Sequence, residues 1–148
     1  MRAVVQRVAW ARVEVEGRIV GEIGKGLLVL LGVSQGDGER QAAWMANKLH
    51  GLRVFPDSEG KMNVSATEAG ADILVVSNFT VCGDVSRGMR PSFVAASAFE
   101  EGRAWYERVL ELLRAGPLRV EAGEYGGDMS VSLENDGPVT LVIDSPTP

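Results

Sequence analysis

Apolar and polar positions change period several times along the chain, and each change marks an element. In Val13-Glu14-Val15-Glu16 apolar and acidic residues alternate, the period-two signature of a half-buried strand. Gly17-Arg18 supplies a tight turn into Ile19-Val20, which predicts a hairpin. After a second turn at residues 24–26, the unbroken apolar run 27–31 suits a central strand covered on both faces. Over 39–52 the period lengthens. Ala42, Met45, Ala46, Leu49 and Leu52 recur at three- and four-residue steps, the stripe of a first helix. Pro56-Asp57, Glu59-Gly60 and Ala69-Gly70 make 55–71 a connection with turns. The run 73–76 predicts a buried strand that ends at Ser77-Asn78-Phe79-Thr80. A second helix is bounded by a capping-box pattern, Ser97-Ala98-Phe99-Glu100, and the stop Gly116-Pro117; its packing face is Trp105, Val109, Leu112 and Leu113. Strands near 118–121, 129–133 and 139–143 follow, and 145–148 is expected to fray. The order predicts one mixed-sheet α/β domain with two main helices packed on the sheet.

Composition narrows the class. A chain of 148 residues, 45% hydrophobic and 24% charged, is the size of one globular domain with a real core. It shows no basic-then-apolar leader and no membrane-length apolar stretch, so a cytoplasmic protein without a membrane partner is expected. Cys82 and His50 are the only residues of their kinds. An intrachain disulfide, a thiolate metal cage and a site with two histidine ligands within one chain are thereby excluded, and neither metal nor cofactor is expected. The net charge of -5 argues against a broad phosphate-binding surface, though a short single-stranded nucleic-acid end needs only a few local cations.

Two segments carry candidate chemistry. Ser77-Asn78-Phe79-Thr80 places two hydroxyls, an amide and several backbone N–H groups at a strand end, where donors can surround a carbonyl oxygen gaining negative charge. The plainer alternative is that the hydroxyls satisfy backbone groups. Asn135-Asp136-Gly137-Pro138-Val139-Thr140 is a turn sequence whose Gly-Pro bond can be cis or trans. Other features point to nothing sharper. The glycines at 24–26 have the wrong spacing for a dinucleotide loop and precede a strand. His50 beside a helical stripe reads as a surface or packing residue, and Cys82 as a small packing residue.

Taken together, Ser77-Asn78-Phe79-Thr80 and Asn135-Asp136-Gly137-Pro138-Val139-Thr140 resemble the two signature motifs of the D-aminoacyl-tRNA deacylase family. The resemblance extends through Gln6-Arg7-Val8, the block 26–33, Gly60-Lys61-Met62-Asn63 and Arg87-Gly88-Met89-Arg90-Pro91-Ser92-Phe93. It implies a DTD-like fold over 1–144 and a homodimer with composite sites. Thr80, Ser77, Asn78 and Phe79 would be the catalytic segment, with Gly137, Pro138 and Met89 binding substrate. In this family a Gly-cisPro segment of one subunit enters the partner's site. Carbonyls there would crowd the path of an L side chain and leave a D side chain free, while glycine, having none, would pass. The implied reaction is hydrolysis of D-aminoacyl-tRNA, and of glycyl-tRNA mischarged on tRNA(Ala), without metal or cofactor.

The terminal 2′-OH can assist attack by water, so Thr80 is either a nucleophile or a positioning residue, and the lack of an evident base beside it favours positioning. Arg87 and Arg90 would meet phosphates of the aminoacyl-tRNA 3′ end, or be solvated surface arginines. The chain departs from the family at Asn78, where glutamine is usual; the amide is kept and its reach shortened by one methylene. Two other readings remain: a relative editing L-alanyl-tRNA, and a dimeric module binding RNA or DNA ends without hydrolysis.

Overall fold

The computed structural model describes residues 1–147. Its organising element is β1 (Arg2–Val15), which pairs antiparallel with β2 (Arg18–Ile23) and β3 (Gly26–Gly32) on one edge and with β8 (Ser130–Asp144) on the other. Beyond β3 the sheet continues in parallel through β6 (Asp72–Ser77) and β7 (Val120–Ala122), giving a mixed six-stranded sheet. The helices α1 (Glu39–Gly51) and α3 (Phe99–Arg114) pack on one face. This is the expected mixed α/β arrangement.

The run 27–31 shows why a continuous apolar segment is needed. Leu27, Val29 and Leu31 face the core under the helices, while Leu28 joins a second cluster on the opposite face with Val8, Ala11, Val13, Leu74 and Val76. Each fully buried leucine or valine among them contributes about 1.5–3 kcal/mol. β1 serves both cores. Ala3 and Val5 lie in the first, Val8, Ala11 and Val13 in the second, and register shifts against β8 fall between Gln6 and Val8 and between Val8 and Trp10. Bulges change the alternation phase there, so only the last part of this 14-residue strand shows its period plainly.

Several expectations are corrected. The connection 55–71 holds a small hairpin, β4 (Phe55–Pro56) with β5 (Met62–Val64), and a one-turn helix α2 (Ala66–Ala69). The capping box forms at Ser65 and Glu68, where the Glu68 N–H donates to Ser65 Oγ at 3.2 Å and the Ser65 N–H to Glu68 Oε2 at 2.8 Å. At the start of α3 the N-cap is Ala98 without a side-chain bond, and Ser97 Oγ donates instead to Glu101 Oε2 at 3.0 Å. On α3 Val109 and Leu113 are buried as expected. Tyr106 and Leu110 join them, while Trp105 and Leu112 are half-buried at the margin. The two last predicted strands are one, β8, running through the Asn135–Pro138 motif. The segment expected to fray is tied down in its described part: the Ser145 N–H donates to the Met1 carbonyl at 2.9 Å, and the Met1 ammonium to Ser145 Oγ at 2.8 Å. Pro148 lies outside the described residues.

Candidate active site

The catalytic candidate grows directly out of β6. The Asn78 N–H donates to the Leu31 carbonyl at 2.9 Å, prolonging the parallel ladder one residue past Ser77. The chain then tightens into a 3-10 turn, Phe79–Cys82, packed hard on β3. Gly32 makes this close approach possible, since a Cβ there would stand 2.7 Å from Cys82 Sγ and 2.9 Å from the Asn78 carbonyl oxygen. Tyr106 braces β6 from beneath, its buried hydroxyl donating to the Val75 carbonyl at 2.9 Å. Burial pushes the Tyr106 pKa well above the usual phenol range, so the hydroxyl stays a donor.

At the tip, Thr80 Oγ1 donates to Asn78 Oδ1. The Thr80 hydroxyl is thus committed to an amide oxygen, which is no base. Phe79 is exposed and meets Phe93 edge-on at 5.1 Å between centroids.

Two clefts flank this tip. One, of about 470 Å³, runs from Ser77, Asn78 and Phe79 to an aromatic wall of Phe99 and Tyr125, whose rings meet edge-on at 5.2 Å. The other, of about 400 Å³, is walled by Leu28, Leu30, Val131 and Leu133, with Gln6 at its polar side. Ser77, Asn78, Gly127, Asp128 and Met129 border both. Ser77, Asn78 and Phe79 are therefore gathered at one place, and Thr80 reaches it through its bond to Asn78. His50 lines neither cleft; its two ring nitrogens are buried without a partner among the described residues.

Within one chain, Met89, Gly137 and Pro138 line neither cleft. Met89 stands in an exposed loop closed by the antiparallel bridge between Asp84 and Ser92. Gly137 and Pro138 are exposed in a bulge of β8, and the peptide joining them is cis. Pairing passes from Gln6↔Thr140 to Val8↔Asn135, so four residues stand opposite Arg7 alone. Arg7 holds the bulge from below: its Nε donates to the Asp136 carbonyl at 3.0 Å, and it lies 3.1 Å from the Asp136 carboxylate. Asn135 Nδ2 donates to the carbonyls of Arg7 at 2.9 Å and Val139 at 3.1 Å.

The sequence alone gives Gln6-Arg7 no role and leaves the wall 125–129 unmarked. The one signal for that wall is the Gly126-Gly127 pair between two strands. Among the described residues no three His, Cys, Asp or Glu side chains gather as metal ligands, and no helix is long and apolar enough to cross a membrane.

Known proteins resemble the chain along its whole length. The chain is 54% identical over 148 residues to the D-aminoacyl-tRNA deacylase of Myxococcus xanthus (strain DK1622), covering 100% of this chain and 97% of that protein. It is 51% identical over 145 residues to the D-aminoacyl-tRNA deacylase of Geobacter sulfurreducens, covering 98% of this chain and 95% of the relative. The solved structure of a "c-Myc DNA Unwinding Element Binding Protein" superposes with a TM-score of 0.94 at 40% identity, covering 99% of this chain and 100% of that one. The family model described as D-Tyr-tRNA(Tyr) deacylase matches residues 4–144. On this whole-length likeness the chain belongs to the D-Tyr-tRNA(Tyr) deacylase family, whose named members are hydrolases of ester bonds.

Proposed function

We propose that this chain is a chiral proofreading enzyme of the cytoplasm, hydrolysing D-aminoacyl-tRNA, and glycyl-tRNA mischarged on tRNA(Ala), to free amino acid and tRNA. The working unit is a homodimer in which Gly137 and Pro138 of one copy close the site around Ser77, Asn78, Phe79 and Thr80 of the other. The reading is carried by one placement. The strand tip borders open clefts, whereas the second signature motif is exposed elsewhere on the same chain and lines neither of them. A second copy supplies what the first lacks. The shape of β8 supports this: β1 pairs with one edge only, and Leu141 and Val142 are exposed along it.

The chemistry follows from the donors present. The aromatic-walled cleft has the volume and lining suited to a terminal nucleoside, with Phe99 and Tyr125 as the apolar surface. This sets the ester at Ser77 and Asn78. There the backbone N–H groups opening the 3-10 turn face the developing oxyanion, while the ribose 2′-OH assists water. Thr80 positions rather than attacks, because its proton is given to an amide oxygen and no base withdraws it. Selection is by collision. Carbonyls of the partner's loop occupy the path of an L side chain, and D side chains and glycine meet no obstacle. Arg87 and Arg90, exposed and without ion pairs among the described residues, meet phosphates of the 3′ end, with Met89 between them against substrate.

The test is release of free amino acid from D-Tyr-tRNA, Gly-tRNA(Ala), L-Ala-tRNA and L-Tyr-tRNA. Release from the first two alone is expected; release from L-Ala-tRNA instead points to an alanine-editing relative. A second reading, a nucleic-acid-end binding module, is favoured by the name of the 40%-identical structure. No release from any substrate, with retained binding of nucleic-acid ends in a gel-shift assay, would establish that reading over hydrolysis.

A further inference from the structure

Asp37 is the one carboxylate buried among the described residues, and no lysine, arginine or histidine among them pairs with it. Its counter-charge is the Met1 ammonium, which stands 2.6 Å from each carboxylate oxygen and donates a further bond to Ser145 Oγ at 2.8 Å. Met1 is buried as well. An amino terminus ordinarily sits at the surface, where water solvates its charge. Here two charges are taken out of water together, and each is tolerated only because of the other.

The pair is tied to the first cleft by a short chain of bonds. Asp37 Oδ2 also accepts the Ser34 N–H at 2.7 Å, and the Asp37 N–H donates to the Ser34 carbonyl at 3.2 Å. These two bonds close the turn that follows β3, with Gly36 at φ +80°. From that turn the Gln35 N–H reaches the Ala95 carbonyl at 2.9 Å, and Ser34 bridges Ala96. The Ser97 N–H donates to the Val33 carbonyl at 2.9 Å. Val33 and Ser97 line the cleft walled by Phe99 and Tyr125. On the other side the Ser145 N–H donates to the Met1 carbonyl at 2.9 Å, so the same residue secures the chain leaving β8.

We infer that Asp37 and Ser145 form a site for an unblocked amine, and that any group attached to the Met1 nitrogen is felt at the margin of the first cleft. An ammonium has three donors and a full charge. An acylated or peptide-extended nitrogen keeps one N–H and no charge. It cannot serve Asp37 and Ser145 together, and it leaves a buried carboxylate unpaired. Such a carboxylate turns toward water, and the Ser34 N–H loses the acceptor that closes its turn. Because that turn holds residues 95–97, the loss reaches the cleft wall and leaves the two cores in place. This modification site stands apart from the deacylase reading and needs no substrate for its test.

The test labels amines with acetic anhydride in neutral buffer, on the full-length protein folded and in concentrated urea, and locates the acetyl groups by peptide mass spectrometry. The exposed lysines Lys25, Lys48 and Lys61 serve as internal references. Relative to them, labelling of Met1 should fall at least about 100-fold on folding, since opening a buried pair of this kind costs about two decades or more in an equilibrium constant. Asp37→Asn should restore most of the labelling, and Ser145→Ala, which removes only the neutral partner, should raise it about tenfold. Protein acetylated at Met1 alone should then exchange the amide hydrogens of Ser34, Gln35 and Ser97 at least about tenfold faster, with those of β6 unchanged. Met1 labelled in the folded protein as readily as in urea overturns the inference, as does protection that survives Asp37→Asn. Unchanged exchange at the three amides, or a uniform acceleration that includes β6, overturns it too.

Discussion

Removing the Tyr106 hydroxyl should weaken the platform of the strand tip by a known amount and leave a signature at high pH. The hydroxyl is buried in α3 and donates at 2.9 Å to the carbonyl of Val75, two residues before Ser77. Tyr106→Phe keeps the ring and its packing but leaves that carbonyl without its side-chain donor. The net worth of such a bond is about 0.5–1.5 kcal/mol, and the carbonyl keeps its other donor, the Gly123 N–H at 2.9 Å. For a chain of this length 1 kcal/mol corresponds to about 2–4 °C in Tm, so a fall of about 1–6 °C is expected at neutral pH. The pH dependence has a definite sign. Burial raises the Tyr106 pKa in the folded state above the unfolded value of about 10. The folded state then holds a proton that the unfolded state releases. The contribution is fully present below pH 10 and lost as pH rises above it, at up to about 1.36 kcal/mol per pH unit. Urea unfolding of both proteins between pH 7 and 11 reads the difference directly. The gap should narrow above pH 10 and then reverse, because phenylalanine has no proton to lose. Parallel curves across the range would refute the account of Tyr106.

Other substitutions test the site. Gly137→Ala would put a Cβ 2.0 Å from the Val139 nitrogen and 3.0 Å from Asn135 Oδ1, forcing the exposed bulge to move while the cores stay intact. The D-to-L rate ratio on Tyr-tRNA should fall at least about tenfold with little change in Tm, since misplacement of about 1 Å costs on the order of 100-fold; an unchanged ratio counts against a role in selection. Thr80→Ala should retain measurable turnover of D-Tyr-tRNA, and collapse to the background rate would instead make Thr80 the nucleophile. Replacing Arg87 and Arg90 together by Ala should flatten the dependence of log KM on log salt by about 0.7 for each phosphate that is no longer neutralised. An identical slope would leave these arginines as solvated surface.

The sequence discloses what local physics controls. Apolar stripes locate both main helices, the run 27–31 announces a strand covered on two sides, and the matched segments locate Ser77 and Asn78 at the cleft junction, with Phe79 beside them in the first cleft. What stays hidden is non-local. β1 is only half visible because bulges shift its phase between two cores, and β8 reads as two strands because Asn135-Asp136-Gly137-Pro138 looks like a turn whether or not the ladder resumes beyond it. The capping pattern at Ser97 meets a competing acceptor one residue further on, at Glu101. Arg7 and Asn135 cannot be assigned from spacing, since the bonds that tie Arg7 to Asp136 and Asn135 to Arg7 span about 130 positions.

The bulge in β8 is spliced into a ladder that resumes on both sides, with Asn135 opposite Val8 and Thr140 opposite Gln6. Its length is therefore fixed at both ends. One residue added or removed between these anchors has no slack to take it up, and the remainder of β8 would slide by one place along β1. Val139 and Ile143 would then rotate out of the core while Leu141 and Val142 exchanged faces, so a change too small to alter composition would dismantle the C-terminal edge of the sheet. The loop is therefore held to its number of residues as firmly as to the Asn135 and Gly137 that shape it.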